Sequence, residues 1–237
     1  LNNQIKNCLY YFYKFSFKTI IHFWLIYLGF IALFIGLAIM TDGSVEFMGV
    51  NALPSTIFMA IFGLIFFKDV FPYIVKFGVS RKFFIASTVI FSVLLTTMMI
   101  SLNFIFLHFI NWIIDIFKIE NFTFTGLNMG ELTDVSPFDI LIFEWLLHFT
   151  LFILFILIGA ILFRFGMKYG MLMIIILPLS LFIRPIANKV GELMPYFGIF
   201  HYDYTPFAFL PLIAAVVLLF GVTVQKASIV DQISHKS

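Results

Sequence analysis

Glu144 and His148 are the only ionisable residues in the apolar run 140–163. Four residues apart, they share one face of a helix, and ionisable groups inside a membrane segment are functional suspects by default. A carboxylate and an imidazole at this spacing could relay a proton or hold a polar group of a substrate. They could equally be a hydrogen-bonded pair that locks their helix to a neighbour, and Glu144 lies about one turn inside the run, where reaching the interface is cheap. Asn103, within the apolar run 83–117, is a further intramembrane polar contact. Other chemistries lack their residues. His22, His108 and His201 are dispersed, there is no His-Glu-x-x-His, and Cys8 is the only cysteine, so neither a metal site nor an internal disulfide is expected. There is no Gly-x-Ser-x-Gly and no paired-glutamate motif of an intramembrane protease, so no catalytic residue is expected. No Gly-Lys dipeptide occurs, which removes the Gly-x4-Gly-Lys-Ser/Thr loop that cradles ATP phosphates.

These residues sit in a chain of 237 that is 62% hydrophobic and only 11% charged. Soluble domains carry about 25% charge, so the composition, with a mean hydropathy of +1.11, is that of a membrane protein. Fourteen Lys and Arg against twelve Asp and Glu leave a net charge of +2, too balanced for nucleic-acid binding. Thirty-five Phe, with abundant Ile and Lys and scarce Ala, fit an AT-rich coding sequence and hence a low-GC bacterium. The expected location is the bacterial cell membrane.

The expected fold is an all-α polytopic membrane protein, one transmembrane domain over 1–237. Residues 1–18 mix Lys6, Lys14 and Lys18 with Tyr and Phe, which suits an interfacial helix along the membrane surface. Six spans follow, over 19–40, 51–67, 83–117, 140–163, 170–183 and 205–224. The third is longer than any bilayer core, so it must project, tilt or break, with Asn103 and Asn111 as the places to break. The fifth is a partial or bent crossing, given Pro178 and Pro185. With the N-terminus cytoplasmic, eleven of the fourteen Lys and Arg fall on inner segments and three (Lys118, Arg184, Lys189) on outer ones, so both termini are expected inside. Segments 118–139 and 184–204 are then extracellular, the latter dipping back as short helices. No repeat relates the two halves, so an inverted-repeat transporter lacks its usual support.

The inner loop 68–82 carries four bases and one acid, with Val70, Tyr73, Ile74 and Phe77 at helical spacing and Gly78 as a stop. It could present an amphipathic helix to a cytoplasmic partner, or its bases could merely anchor the spans to anionic headgroups. Phe71-Pro72, followed by Lys76-Phe77-Gly78-Val79-Ser80-Arg81-Lys82-Phe83-Phe84, resembles the first cytoplasmic loop of small Firmicute-type permeases of type-2 ABC exporters. The layout of interfacial helix, six spans, basic loop between spans four and five, and polar helices before span six is similar too. The outer loop 118–139 is longer than small permeases usually have.

The resemblance implies a coupling helix over 69–76, bearing Asp69, Phe71, Pro72, Tyr73 and Lys76, joined to span three through Gly78, Ser80, Arg81 and Lys82. It implies a cytoplasmic ABC ATPase as partner, which would carry the ATP and Mg, since this chain binds no cofactor and is no enzyme itself. It also implies a homodimer, or a heterodimer with a similar permease, embedded in membrane lipid and exporting a hydrophobic or amphipathic cargo. Exporters of amphipathic cytolytic peptides, the phenol-soluble modulins, are similar in size and layout. Two other classes stay open: an ion-coupled secondary transporter using Glu144 and His148, and a structural or sensory protein whose loop recruits a partner other than an ATPase.

Overall fold

The computed structural model describes residues 3–41, 44–126, 136–197 and 205–227. Among them five helices are long and apolar enough to cross a membrane. Helix α1 (Asn3–Thr41) is followed by strand β1 (Phe47–Val50), helices α2 (Ala52–Lys76) and α3 (Arg81–Phe117), strand β2 (Phe122–Thr125), helix α4 (Pro137–Ser180, interrupted at Gly166), α5 (Arg184–Leu193) and α6 (Phe209–Gln225). Short 3-10 turns at Met194–Phe197 and Pro206–Ala208 flank residues 198–204, which lie outside the described residues.

The N-terminal interfacial helix is corrected: residues 3–41 form one unbroken helix, with no boundary at Lys18. The reason is packing. Cys8, Phe12, Ser16 and Ile20 are buried one turn apart, continuing as Tyr27, Ile31 and Ala38, so a single stripe faces the bundle from end to end. The Phe12 ring meets Phe66, Phe84 and Phe91 edge-on at 5.0, 5.8 and 5.5 Å, contacts that a helix lying on the membrane surface would forgo.

A separate coupling helix over 69–76 is corrected likewise. Those residues are the last two turns of α2, because Val70, Phe71 and Ile74 continue the buried stripe of Phe62, Phe66 and Phe67. α3 runs unbroken past Asn103 and Asn111, and Lys118, at φ 49°, ends it in a left-handed turn. Its 37 residues make a rod of about 55 Å at 1.5 Å per residue. The overhang of α1 and α3 beyond α2 packs around Phe106, Ile110, Phe122 and Phe124. There β1 and β2 pair in parallel, Phe47 opposite Phe122 and Val50 opposite Thr125, two short strands in what the sequence suggested were plain loops.

The core is a phenylalanine cluster shared by α1, α2, α3, α4 and α6. Its tightest seam joins α2 to α4. A Cβ on Gly63 would sit 2.6 Å from the Phe152 carbonyl oxygen, and one on Gly159 would sit 2.8 Å from that of Leu64. Each helix thus receives the other's backbone at a glycine, the small-residue packing that membrane helices use in place of a hydrophobic driving force.

Contacts along the rods fix their directions. Phe12 meets Phe84 while Tyr27 meets Phe106, so α1 and α3 run the same way. Phe62 meets Phe152 while Phe71 meets Phe163, so α2 and the first part of α4 run together. α6 runs with them, from Phe209 against Phe143 to Phe220 against Phe67. At Gly166 the backbone leaves the helix (φ 79°, ψ 163°) and doubles back: a Cβ on Gly170 would lie 2.9 Å from the Leu162 Cα. Helix then resumes for 14 residues, 167–180, and α5 and the 3-10 turn bring the chain to Phe197, against Phe209.

Candidate functional site

Two places gather the residues singled out by the sequence. The first is a buried polar chain crossing four helices. His148 is fully buried on α4, and its Nδ1 lies 2.8 Å from the Glu144 carbonyl oxygen. A carbonyl only accepts, so Nδ1 carries a proton and, in the neutral ring, Nε2 is the acceptor. Facing Nε2 are Ser55 Oγ at 3.0 Å and Thr56 Oγ1 at 3.4 Å, both from α2. Asn103, on α3, donates Nδ2–H to Ser55 Oγ at 2.8 Å, and Asn51 donates to the Asn103 carbonyl at 2.6 Å. Tyr27, on α1, closes the chain with its hydroxyl 3.3 Å from the Asn51 carbonyl.

The predicted intramembrane residues therefore do come together, although not as a side-chain pair. Both His148 ring nitrogens are occupied, one by the backbone of Glu144 and the other by α2. Glu144 is itself buried, at 6% exposure, rather than reaching for an interface. Asn103 Oδ1 is buried with no partner among the described residues. Leaving such an acceptor unpaired costs about 1–3 kcal/mol. Sequence reasoning passed over Tyr27, Asn51, Ser55 and Thr56. The available signal was Asn51 followed one turn later by Ser55-Thr56, at the head of an otherwise apolar run.

The hydroxyl of Ser55 has one proton and two acceptors in reach, the Ala52 carbonyl at 2.9 Å and His148 Nε2. With a neutral imidazole it donates to Nε2. With an imidazolium it could donate to Ala52 and accept from Nε2–H. Ser55 thus keeps an acceptor whichever way its proton points.

The second place is the tip joining α2 to α3. Phe77, Gly78 and Val79 close α2 in a Schellman turn: Gly78 N–H donates to the Val75 carbonyl at 3.0 Å and Val79 N–H to that of Ile74 at 3.4 Å. Gly78, at φ 77°, occupies the left-handed position that glycine takes without strain. The predicted coupling residues then divide. Phe71 is buried in the core, and Asp69 and Pro72 are half-buried. Tyr73, Lys76, Gly78, Ser80 and Lys82 are exposed, alongside Phe77 at 74%. Arg81 faces inward, its guanidinium donating to the Gln225 carbonyl at the C-terminal end of α6, where a cation also complements the helix dipole. Among the described residues no three of His, Cys, Asp and Glu gather as a metal site would require.

Compared with protein-family models, curated proteins and solved structures, the chain matches none.

Proposed function

We propose that the chain is the membrane-spanning permease subunit of an ATP-driven type-2 ABC exporter in a bacterial cell membrane, working with a separate cytoplasmic ATPase and a second permease chain to export a hydrophobic or amphipathic substrate. The observation that carries this reading is the α2–α3 tip. It exposes two aromatic rings, Tyr73 and Phe77, together with Lys76 and Lys82, while its reverse side, Phe71 and Ile74, is fixed in the core. A partner that pushed on those rings would act on the last turn of α2, just beyond Pro72, and the buried stripe of Phe71 and Ile74 would carry the displacement into the core. The glycine seam would pass the displacement to α4, provided that the spans have two packings for ATP to bias.

Six crossings with both termini inside belong to the same reading. Because α4 and α6 run in one direction, the chain between Gly166 and Phe209 has to return along the bundle, and we take 170–183 as that fifth crossing. The 14 residues of 167–180 reach about 21 Å, against ~30 Å of hydrocarbon, so this crossing is a partial or bent one, with the polar α5 left on the outer side. The eleven inner Lys and Arg support this orientation.

The test is purification of the tagged chain from its source in mild detergent, with assay for an associated ATPase and vanadate-sensitive ATP hydrolysis. Tyr73→Ala combined with Phe77→Ala should remove most of the ATPase while leaving membrane insertion unchanged. Clean chain without an ATPase, under conditions that preserve other membrane complexes, would sink the proposal. The second reading, an ion-coupled transporter, is favoured by one observation: an ionisable residue, His148, lies buried among the helices with both ring nitrogens hydrogen-bonded. In that case Glu144→Gln would abolish transport and ATP would be irrelevant to it.

A further inference from the structure

An apolar furrow of about 560 Å³ runs between α1 and α3 and opens sideways, toward what would be lipid. It extends from Leu9 to Leu28 on α1 and from Phe91 to Phe109 on α3, about 28 Å at 1.5 Å per residue. A long furrow lined almost wholly by apolar side chains and open to lipid suits an extended hydrocarbon chain.

The charge beside it selects the head of that chain. α1 carries three lysines and no acid. Lys14 and Lys18 are both exposed, and helical spacing puts them in line with the furrow's outer wall, Phe17, Ile21, Leu25 and Leu28. From Lys14 to Leu28 is about 21 Å, enough for a tail that starts at the headgroup level and crosses one leaflet of ~15 Å. Tyr13, at 56% exposure, sits at the same level with the amphipathic character of an interfacial anchor.

We propose that the α1–α3 furrow is a binding site for one acyl chain of an anionic phospholipid, whose phosphate is held by Lys14 and Lys18. This rests on the membrane-spanning helices alone and would survive failure of the exporter assignment, since neither nucleotide nor ATPase enters its test. Trp24 lines the furrow and reports on it. The full chain is reconstituted in vesicles of equal parts phosphatidylglycerol and phosphatidylcholine, with the tails of one or the other brominated, and the Trp24 signal is taken as the difference between the wild type and Trp24→Phe. Brominated phosphatidylglycerol should quench that signal more effectively by at least about fivefold, from roughly 1 kcal/mol per engaged lysine. Lys14→Gln with Lys18→Gln, both at exposed positions, should bring the two lipids level, and so should high salt. Equal quenching of the wild type by both lipids would overturn the proposal in favour of unselective bilayer contact. Quenching by neither would overturn it in favour of protein, such as a second copy, covering the furrow.

Discussion

Ser55 is the residue on which the buried polar chain turns. It accepts from Asn103, faces His148, and keeps the Ala52 carbonyl in reach, so α2, α3 and α4 meet at one hydroxyl. Ser55→Ala is expected to cost about 1–3 kcal/mol, because it strands the Asn103 Nδ2–H, and Asn103→Leu should cost less, because Ser55 keeps other acceptors and the unpaired Oδ1 is removed as well. The double variant should cost less than the sum by about 0.5–3 kcal/mol, as expected of residues sharing one network. Thermal unfolding in detergent measures this, and strict additivity would mean that the hydroxyl does not link the helices. The spacing of Glu144 and His148 was legible in the sequence, since a four-residue interval survives any packing. Their real partners were not: Ser55 lies 93 positions from His148, and nothing local in either segment says that they meet. Arg81 shows the same limit in reverse. As one of a run of bases it looked like a docking residue, and only the approach of the α6 C-terminus explains why it turns inward.

Two elements owe their ends to glycines in unusual conformations. Gly78 closes α2 at φ 77° with nothing near its missing Cβ, so Gly78→Ala meets backbone strain alone, about 1 kcal/mol. Gly166, at φ 79° and ψ 163°, lies in a region open essentially to glycine only, so Gly166→Ala should cost more, about 1–3 kcal/mol. Melting temperatures of the two variants under the same conditions should fall in that order, and a silent Gly166→Ala would argue against the reversal. The Gly78 stop was readable beforehand, because a glycine after an apolar stripe and before bases is a familiar helix end. The continuity of α1 was not. Lys and aromatic residues in alternation look the same on a surface helix as on a packed one, and the stripe through Cys8, Phe12 and Ser16 is recognisable only once Phe66 and Phe84 are known to stand opposite. The strands were equally hidden, at four residues each, with a pairing that exists only between distant segments.

For the whole molecule the decisive question is whether residues 170–183 carry the chain across the bilayer. Cys8 is buried and is the only cysteine, so a Cys8→Ser background allows single cysteines to be placed at will. Lys168 and Lys189, both exposed, bracket the segment. Lys168→Cys should react with a membrane-impermeant maleimide from the inner side only and Lys189→Cys from the outer side only. Ser80→Cys and Ser44→Cys serve as references for the two faces. Labelling of both test positions from one side would leave five crossings and put the ends on opposite faces. The membrane-embedded character was plain from composition alone, because so few charges cannot solvate a surface of this size. The path after Gly166 was not, since a 14-residue apolar helix is too short to declare itself a span.

The parallel pairing of β1 with β2 also orders events in time. Phe47 is synthesised 75 residues before its partner Phe122. At about 5–20 residues per second, β1 waits several seconds with its backbone unsatisfied. During that wait both α2 and α3 must be threaded, because a parallel strand cannot be reached by a hairpin turn. Closure of the two strands is therefore a completion signal for the first three long helices: a molecule in which either α2 or α3 has been inserted wrongly keeps an open strand edge, free to pair with another chain.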